Sequence, residues 1–282
     1  MAVLTGSRSA AATPLPDDVT VDLTAVQDRH KARVGMYAID VNSAARLQYR
    51  PDDRFAMCST FKTYAAARVL QLTDQGRLRL DTPIPIEASD IVENSPVTSA
   101  HVGDSITLEQ ICAAALEKSD NTAGNLLLRH IGGPQAIGTF ARSVGDDQSR
   151  LDRWETELNT AFPGDPRDTT TPRALASGYR EVLVGAALSH DQRARLLTWM
   201  RANATSQNRF RAGLPPGWTS ADKTGAGDFG STNDAGLLLG PAGQRIILVV
   251  LTRSRDDVPD TPPLNDAIAE TVRLTVDRFS RQ

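Results

Sequence analysis

The chain has 282 residues, 40% apolar and 23% charged, with a formal net charge of −3. That balance is ordinary for a soluble globular protein and leaves room for one large domain or two intertwined ones. No basic stripe with interleaved aromatics points to nucleic acid, no single-sign run points to a charged tail, and no apolar run approaches the roughly 20 residues that span a bilayer.

The first 18 residues are rich in Ser, Ala, Thr and Pro, lack a hydrophobic signal core, and read as a disordered leader. From Val21 to Ala32 apolar residues recur at helical spacing. Val34–Asp40 and Ala45–Tyr49 read as strands joined through the turn signal Asn42-Ser43. A long helical region follows. Ser59–Leu72 runs toward Gly76, and Leu108–Leu116 is apolar at 108, 111, 112 and 115, with Thr107 and Gln110 placed as a capping box. Cys112 lies in that stripe and reads as a core residue, not as half of a bridge to Cys58. Pro172 sits just inside another helix capped by Thr171, and Ser189 with Gln192 suggests a further capping box. Strand-like runs return around Lys223, at Ala235–Leu239 and at Ile246–Thr252, before a last helix, Leu264–Phe279, with Ile268, Val272, Val276 and Phe279 on one stripe. Strands at both ends with helices between predict one sheet built from the two chain ends and a helical lobe inserted between them.

Two cysteines are too few for a metal cluster, and His30, His101, His130 and His190 show no ligand spacing; no metal or organic cofactor is expected. Four short elements could carry chemistry. In Phe55-Ala-Met-Cys-Ser-Thr-Phe-Lys62, Ser59 and Lys62 are three positions apart at a helix start and share a face. A serine hydroxyl is a weak nucleophile until a neighbour takes its proton, and a lysine in a dry site can do so or can orient a base. In Ser119-Asp120-Asn121 a hydroxyl can relay a proton and an amide can hold a carbonyl. In Lys223-Thr224-Gly225 a cation and a hydroxyl on a strand suit a carboxylate, and Gly225 lets a ligand approach backbone N–H groups. In Arg153-Trp-Glu155-Thr-Glu-Leu-Asn159, Glu155 can serve as a base for a water held by Asn159. Read singly, these are a capped helix, a turn, a strand lysine and a polar loop. Lysine usage adds weight, because Lys31, Lys62, Lys118 and Lys223 are the only lysines in a chain that otherwise uses arginine.

S-x-x-K, S-D-N and K-T-G in this order are a described set, and with the fourth element the chain resembles a class A serine β-lactamase from about Val21 to Phe279. The resemblance implies a two-lobed β-lactamase-like fold (the serine β-lactamase / D,D-peptidase fold): an α/β (α+β) lobe, whose antiparallel sheet is flanked by helices, and an all-helical lobe. The lobes would divide as 19–50 with 206–282, and 51–205 carrying an Ω-shaped loop at about 153–168. It implies Ser59 as acylated nucleophile, Lys62 as its activating partner and Ser119 as proton relay to the β-lactam nitrogen. Asn121 would bind the antibiotic's side-chain amide, Lys223 and Thr224 its carboxylate, and Glu155 with Asn159 the hydrolytic water. The backbone N–H groups of Ser59 and Ala226 would form the oxyanion hole. The acylation base, Lys62 or Glu155, stays open. Arg153 and Asp168 resemble the pair closing the loop's neck, although Asp168 equally suits a cap for the Pro172 helix. Arg209 fits the position that supplies an arginine where, as at Thr232 here, the strand after K-T-G carries none. The implied partner is a small-molecule β-lactam, with no nucleic acid and no membrane span, in a monomer of periplasmic or secreted location.

The chain departs from the family at Asn94, where an aromatic commonly walls the site, and at Gly227, which offers no cysteine to pair with Cys58 and so weakens a carbapenemase reading. A penicillin-binding D,D-peptidase shares three of the motifs but normally lacks the Glu155–Asn159 element, and a β-lactam sensor domain would acylate without turnover. Gly225-Ala-Gly227-Asp-Phe-Gly230 matches G-x-G-x-x-G, but a dinucleotide site needs a helix directly after it, and Ser231–Leu239 reads as turn and strand.

Overall fold

A computed structural model describes residues 18–280, with side chains from Leu23 onward. The expected leader lies outside the described residues except for Asp18, which opens the first helix. In chain order, α1 (Asp18–His30) leads into β1 (Ala32–Asp40) and β2 (Arg46–Tyr49). The short strand β3 (Phe55–Ala56) precedes a 3-10 turn at Cys58–Thr60 and α2 (Phe61–Asp74). β4 (Pro83–Pro85) pairs with β5 (Ser105–Thr107) ahead of α3 (Leu108–Glu117), α4 (Asn121–Ile131) and α5 (Gln135–Ser143). β6 (Thr169–Thr170) pairs back to β3 before α6 (Pro172–Leu183), α7 (His190–Arg201) and the short α8 (Phe210–Gly213). The chain ends with β7 (Thr219–Ala226), β8 (Thr232–Leu239), β9 (Arg245–Ser254) and α9 (Asn265–Ser280).

The main sheet has the order β2-β1-β9-β8-β7, antiparallel throughout, so the first strands of the chain pair with the last. β9 shows why its sequence is a continuous apolar run. Side chains alternate between sheet faces, and helices cover both. Ile246, Leu248 and Val250 pack with Leu23, Val26, Ile268, Val272 and Val276 of α1 and α9. Ile247, Val249 and Leu251 face the other way, into a core shared with Leu175 and Tyr179 of α6 and with α2. Phe279 is only partly buried, at the edge of the first cluster. At the β1–β2 turn Asp40 Oδ1 accepts from the N–H groups of Asn42 and Ser43, at 2.7 and 3.2 Å, an Asx turn that fixes the reversal.

α2 runs through the middle of the helical part and is buried around most of its circumference, Lys62 and Thr63 included, as a helix enclosed by neighbours must be. Capping follows local chemistry. Thr107 and Gln110 form the reciprocal box at α3, and Thr171 caps α6 with Pro172 in its first turn. Ser189 does cap α7, but the box with Gln192 is only half made. Its Oγ accepts from Gln192 N at 3.4 Å, while its own N–H goes to Asp74 Oδ2 at 3.0 Å. A carboxylate outcompetes an amide oxygen for that donor, and Gln192 Oε1 is left buried without a partner among the described residues. S-D-N, which read as a turn, also starts a helix: Asp120 caps α4, accepting from Ala123 N at 2.8 Å. Cys58 and Cys112 are buried free thiols.

Candidate active site

Ser59 lies in the 3-10 turn ahead of α2, after a residue in strained backbone: Cys58 has φ +44°. A left-handed L-residue costs about 1–2 kcal/mol and persists where its surroundings over-determine it. Here Met57 is gripped from three sides. Its N–H donates to Asp168 O at 2.7 Å, and its carbonyl accepts from Asn233 Nδ2 at 3.1 Å and Thr60 Oγ1 at 2.7 Å. Asn233 Nδ2 also reaches Ala56 O at 2.8 Å. Strand β8 and Asp168, just ahead of β6, thus hold the serine's turn in place.

Lys62, one helical turn after Ser59, is fully buried. Its Nζ donates to Ser59 Oγ at 3.0 Å, Ser119 O at 2.9 Å and Asn121 Oδ1 at 2.7 Å, and lies 2.9 Å from Glu155 Oε1. Ser59 Oγ is itself 3.3 Å from Glu155 Oε1. A buried ammonium and a buried carboxylate therefore neutralise one another and both stand within reach of one hydroxyl. Such a pair stabilises the fold weakly for its desolvation cost, but breaking it strands a charge.

Glu155 is held at each end. Asn125, one turn along α4 from Asn121, brackets its backbone: Oδ1 accepts from Glu155 N at 2.9 Å and Nδ2 donates to Glu155 O at 3.0 Å. Asn159 Nδ2 donates to Glu155 Oε2 at 2.6 Å, and Asn159 Oδ1 is buried with no hydrogen-bond partner among the described residues. The loop's neck is closed by Arg153 Nε on Asp168 Oδ2 at 2.5 Å, while Asp168 Oδ1 accepts from Asp152 N and Arg153 N. Asp168 serves this neck; the cap of α6 is Thr171.

On the opposite wall Ser119, with φ +56°, turns its hydroxyl toward Lys223, whose Nζ donates to Ser119 Oγ at 3.0 Å and Thr224 O at 2.9 Å. Burial, aided by the nearby Lys62 ammonium, holds Lys223 well below the ordinary lysine value. Asn121 divides its amide between Lys62 and Glu93 O, the latter at 2.9 Å. Thr224 Oγ1 meets Thr205 Oγ1 at 2.5 Å. β7 is the edge strand of the sheet; Ala226 is exposed there, and a Cβ on Gly225 would sit 3.0 Å from Met57 O. Gly227 is the tighter point. A Cβ there would come within 2.5 Å of Asn159 O and 2.9 Å of Cys58 Sγ, and Asp228 N donates to Asn159 O at 2.9 Å. The loop carrying Glu155 is thereby stitched to the β7–β8 turn. No helix follows G-x-G-x-x-G, only β8.

Arg209 lies behind β7 rather than at its exposed edge. Its Nη1 donates to Gly225 O at 2.7 Å and Asn233 O at 2.9 Å, and its Nε to Asn265 Oδ1 at 2.9 Å. Asn94, the departure from the aromatic that the resemblance associates with this position, is exposed with φ +59°, a conformation asparagine tolerates better than an aromatic does. Sequence reasoning missed Asn125, although an asparagine four positions after Asn121 on the same helix face was the available signal. It also missed a buried polar group under β7 and β8, in which Ser220 and Asn203 bond Asp222 and Ser206 bonds Asp234. Burial and the adjacent Asp222 push Asp234 well above the usual carboxylate range.

Residues 18–279 match the model of the beta-lactamase enzyme family. A β-lactamase of Amycolatopsis lactamdurans is 44% identical over 266 residues, covering 94% of this chain and 87% of the relative. Beta-lactamase CTX-M-8 of Citrobacter amalonaticus is 42% identical over 263 residues, covering 93% and 90%. Among solved structures, an ancestral class A β-lactamase superposes with a TM-score of 0.89 at 45% identity, covering 93% of this chain and 100% of that one.

Proposed function

Since the chain belongs to the class A β-lactamase family and hydrolyses the β-lactam amide bond, conferring resistance to such antibiotics, we propose that it does so through an acyl-enzyme on Ser59. The Ser59 hydroxyl attacks the ring carbonyl and its proton passes to the Lys62–Glu155 pair, both members of which stand within about 3.3 Å of Oγ. The backbone N–H groups of Ser59 and Ala226 receive the developing oxyanion. Ser119, joined to Lys223, hands a proton to the ring nitrogen as it leaves. Lys223 and Thr224 hold the substrate carboxylate and Asn121 its side-chain amide. Arg209 braces the Gly225 and Asn233 carbonyls and so keeps that strand end in register.

The observation that carries hydrolysis, as opposed to a stable acyl-enzyme, is Glu155. One of its oxygens faces Ser59 Oγ and the other faces the Asn159 amide, whose buried Oδ1 is an acceptor that a water O–H would satisfy. A water held there by both groups is activated against the ester. We take 51–205 as the helical lobe and 19–50 with 206–282 as the α/β lobe, the site lying between them in a monomer. We place the enzyme in the periplasm or outside the cell, where the family meets its substrates; no helix among the described residues is long and apolar enough to cross a membrane.

The test is nitrocefin hydrolysis by wild type and Glu155→Ala. Wild type turns over, and the variant accumulates an acyl-enzyme visible by mass spectrometry. Absence of turnover by wild type, with a persistent acyl adduct, would assign the chain to the peptidases or sensors.

A further inference from the structure

Two residues after Lys62 on α2 stands Tyr64, fully buried. Positions two apart on a helix diverge by about 200°. Lys62 faces the cleft, while Tyr64 faces the packed interior, edge-on to Phe140 and Tyr179 at ring-centroid distances of 5.9 and 5.6 Å. Its Oη donates to Asp146 Oδ2 at 2.7 Å. Asp146, also fully buried, accepts on the same oxygen from Ser149 Oγ at 2.5 Å, and on the other from Gln148 N at 3.1 Å and Ser149 N at 2.9 Å. Ser149 Oγ in turn lies 2.7 Å from Thr170 Oγ1, and Arg150 N donates to Thr169 O at 3.0 Å. One carboxylate thus gathers the segment entering the Ω-shaped loop and the strand leaving it, and a phenol fastens both to the helix that bears Lys62. Burial, with Asp146 beside it, holds that phenol well above its usual value, so it stays a donor at any pH where the enzyme works. α6 makes room for the contact. A Cβ on Gly178 would collide with Tyr64 Oη and stand 2.7 Å from Cζ and 3.1 Å from Asp146 Cβ. Glycine is an unfavourable choice inside a helix, and here it is what admits the hydroxyl.

We propose that Tyr64 and Asp146 are positioning residues for hydrolysis: their joint sets the height of the Ω-shaped loop over α2, and so the place of Glu155 against the Ser59 ester. The neck pair Arg153–Asp168 joins the loop's ends to each other; the Tyr64–Asp146 joint fixes those ends against α2. The inference rests on the role given above to Glu155. Ser59 and Lys62 keep their spacing within one helical turn whatever the loop does, so acylation does not depend on the joint. Hydrolysis of the ester does.

Tyr64→Phe removes the hydroxyl and keeps the ring; Ser149→Ala removes the bridge at the loop end. Both are compared with wild type in stopped-flow nitrocefin traces, at a temperature where circular dichroism shows every protein folded. Each variant should lose at least about threefold in deacylation, the effect of a displacement well short of the 1 Å that costs about 100-fold. Acylation stays within about twofold, so kcat falls while kcat/KM, which contains no deacylation step, holds. Amide exchange should quicken at least about threefold over residues 153–168 and not over 61–74, whereas a merely destabilised protein exchanges faster in both. Deacylation within about threefold of wild type in either variant, an equal loss in acylation, or exchange that quickens equally in helix and loop overturns the inference. Glu155→Ala separates the two readings. If that variant deacylates like wild type, the role of Glu155 falls, and the exchange comparison alone decides whether the joint holds the loop.

Discussion

Gly124 offers a perturbation that separates catalysis from stability. It lies on α4 facing α2, where a Cβ would stand 2.8 Å from Lys62 Cε, 3.5 Å from Phe61 Cζ and 3.7 Å from Glu155 Cγ. Carbon atoms in contact prefer about 3.5–4.0 Å, so Gly124→Ala requires the lysine stem to retreat by about 1 Å. The stem has little room, being fully buried with its ammonium fixed by Ser59, Ser119, Asn121 and Glu155. Overpacking of this kind costs about 1–3 kcal/mol. Replacing glycine by alanine in a helix interior returns about 1 kcal/mol. The net loss, between about 0 and 2 kcal/mol, lowers Tm by at most about 8 °C for a domain of this size. A 1 Å misplacement at a reacting group costs about 100-fold in rate. Steady-state nitrocefin hydrolysis should therefore fall about 100-fold while circular-dichroism melting shows a folded protein only slightly less stable. If kcat stays within about threefold of wild type, the ammonium tolerates displacement and the argument from its tight placement is wrong.

Arg153→Ala removes the partner of the buried Asp168 carboxylate and leaves it only the two backbone donors at the neck; it should cost about 3 kcal/mol in urea unfolding and slow deacylation more than acylation in stopped-flow traces. Unimpaired deacylation would show that the neck does not position Glu155. Burial keeps Lys223 well below 10.5, so the free enzyme loses this cation as pH rises through the lowered value, and kcat/KM for a carboxylate-bearing substrate should show an alkaline limb below 10.5. Lys223→Arg, always charged, should move that limb upward, and an unmoved limb would assign it to another group. The same shift adds stability as pH rises toward 10.5, because in that window the unfolded lysine keeps a proton that the folded one has released. Finally, both thiols are buried, and burial raises each above its usual value; a thiol reagent should label neither in the native protein and both in urea, so native labelling of Cys58 would contradict the packed turn before Ser59.

Much of the architecture was readable because burial leaves a pattern. β9 betrays its two covered faces by an unbroken apolar run, and α9 its single face by a stripe. The residues around Ser59 were readable for a different reason: acyl transfer needs particular side chains at particular spacings, and those spacings are short. What escaped lies where function is delegated to backbone contacts. The one hint in α4 that Asn125 clamps Glu155 is its place four residues after Asn121, and that hint is weak, since an asparagine in a helix interior is equally at home facing water. Arg209 was readable as a cation near the site, but its position behind β7 depends on carbonyls donated by two strands that sequence cannot align. The half-made box at Ser189 failed because Asp74, far away in the chain, claims the donor.

The pairing of β1 with β9, Ala32 opposite Ser254, has a consequence for biosynthesis. On the ribosome the first strand emerges long before its partner exists, and contacts so remote in sequence form slowly. Until the last strand arrives, β1 presents an unpaired apolar edge that invites association with other nascent chains. Cellular yield should therefore respond to chaperone supply and translation rate more strongly than the melting temperature of the finished protein would suggest.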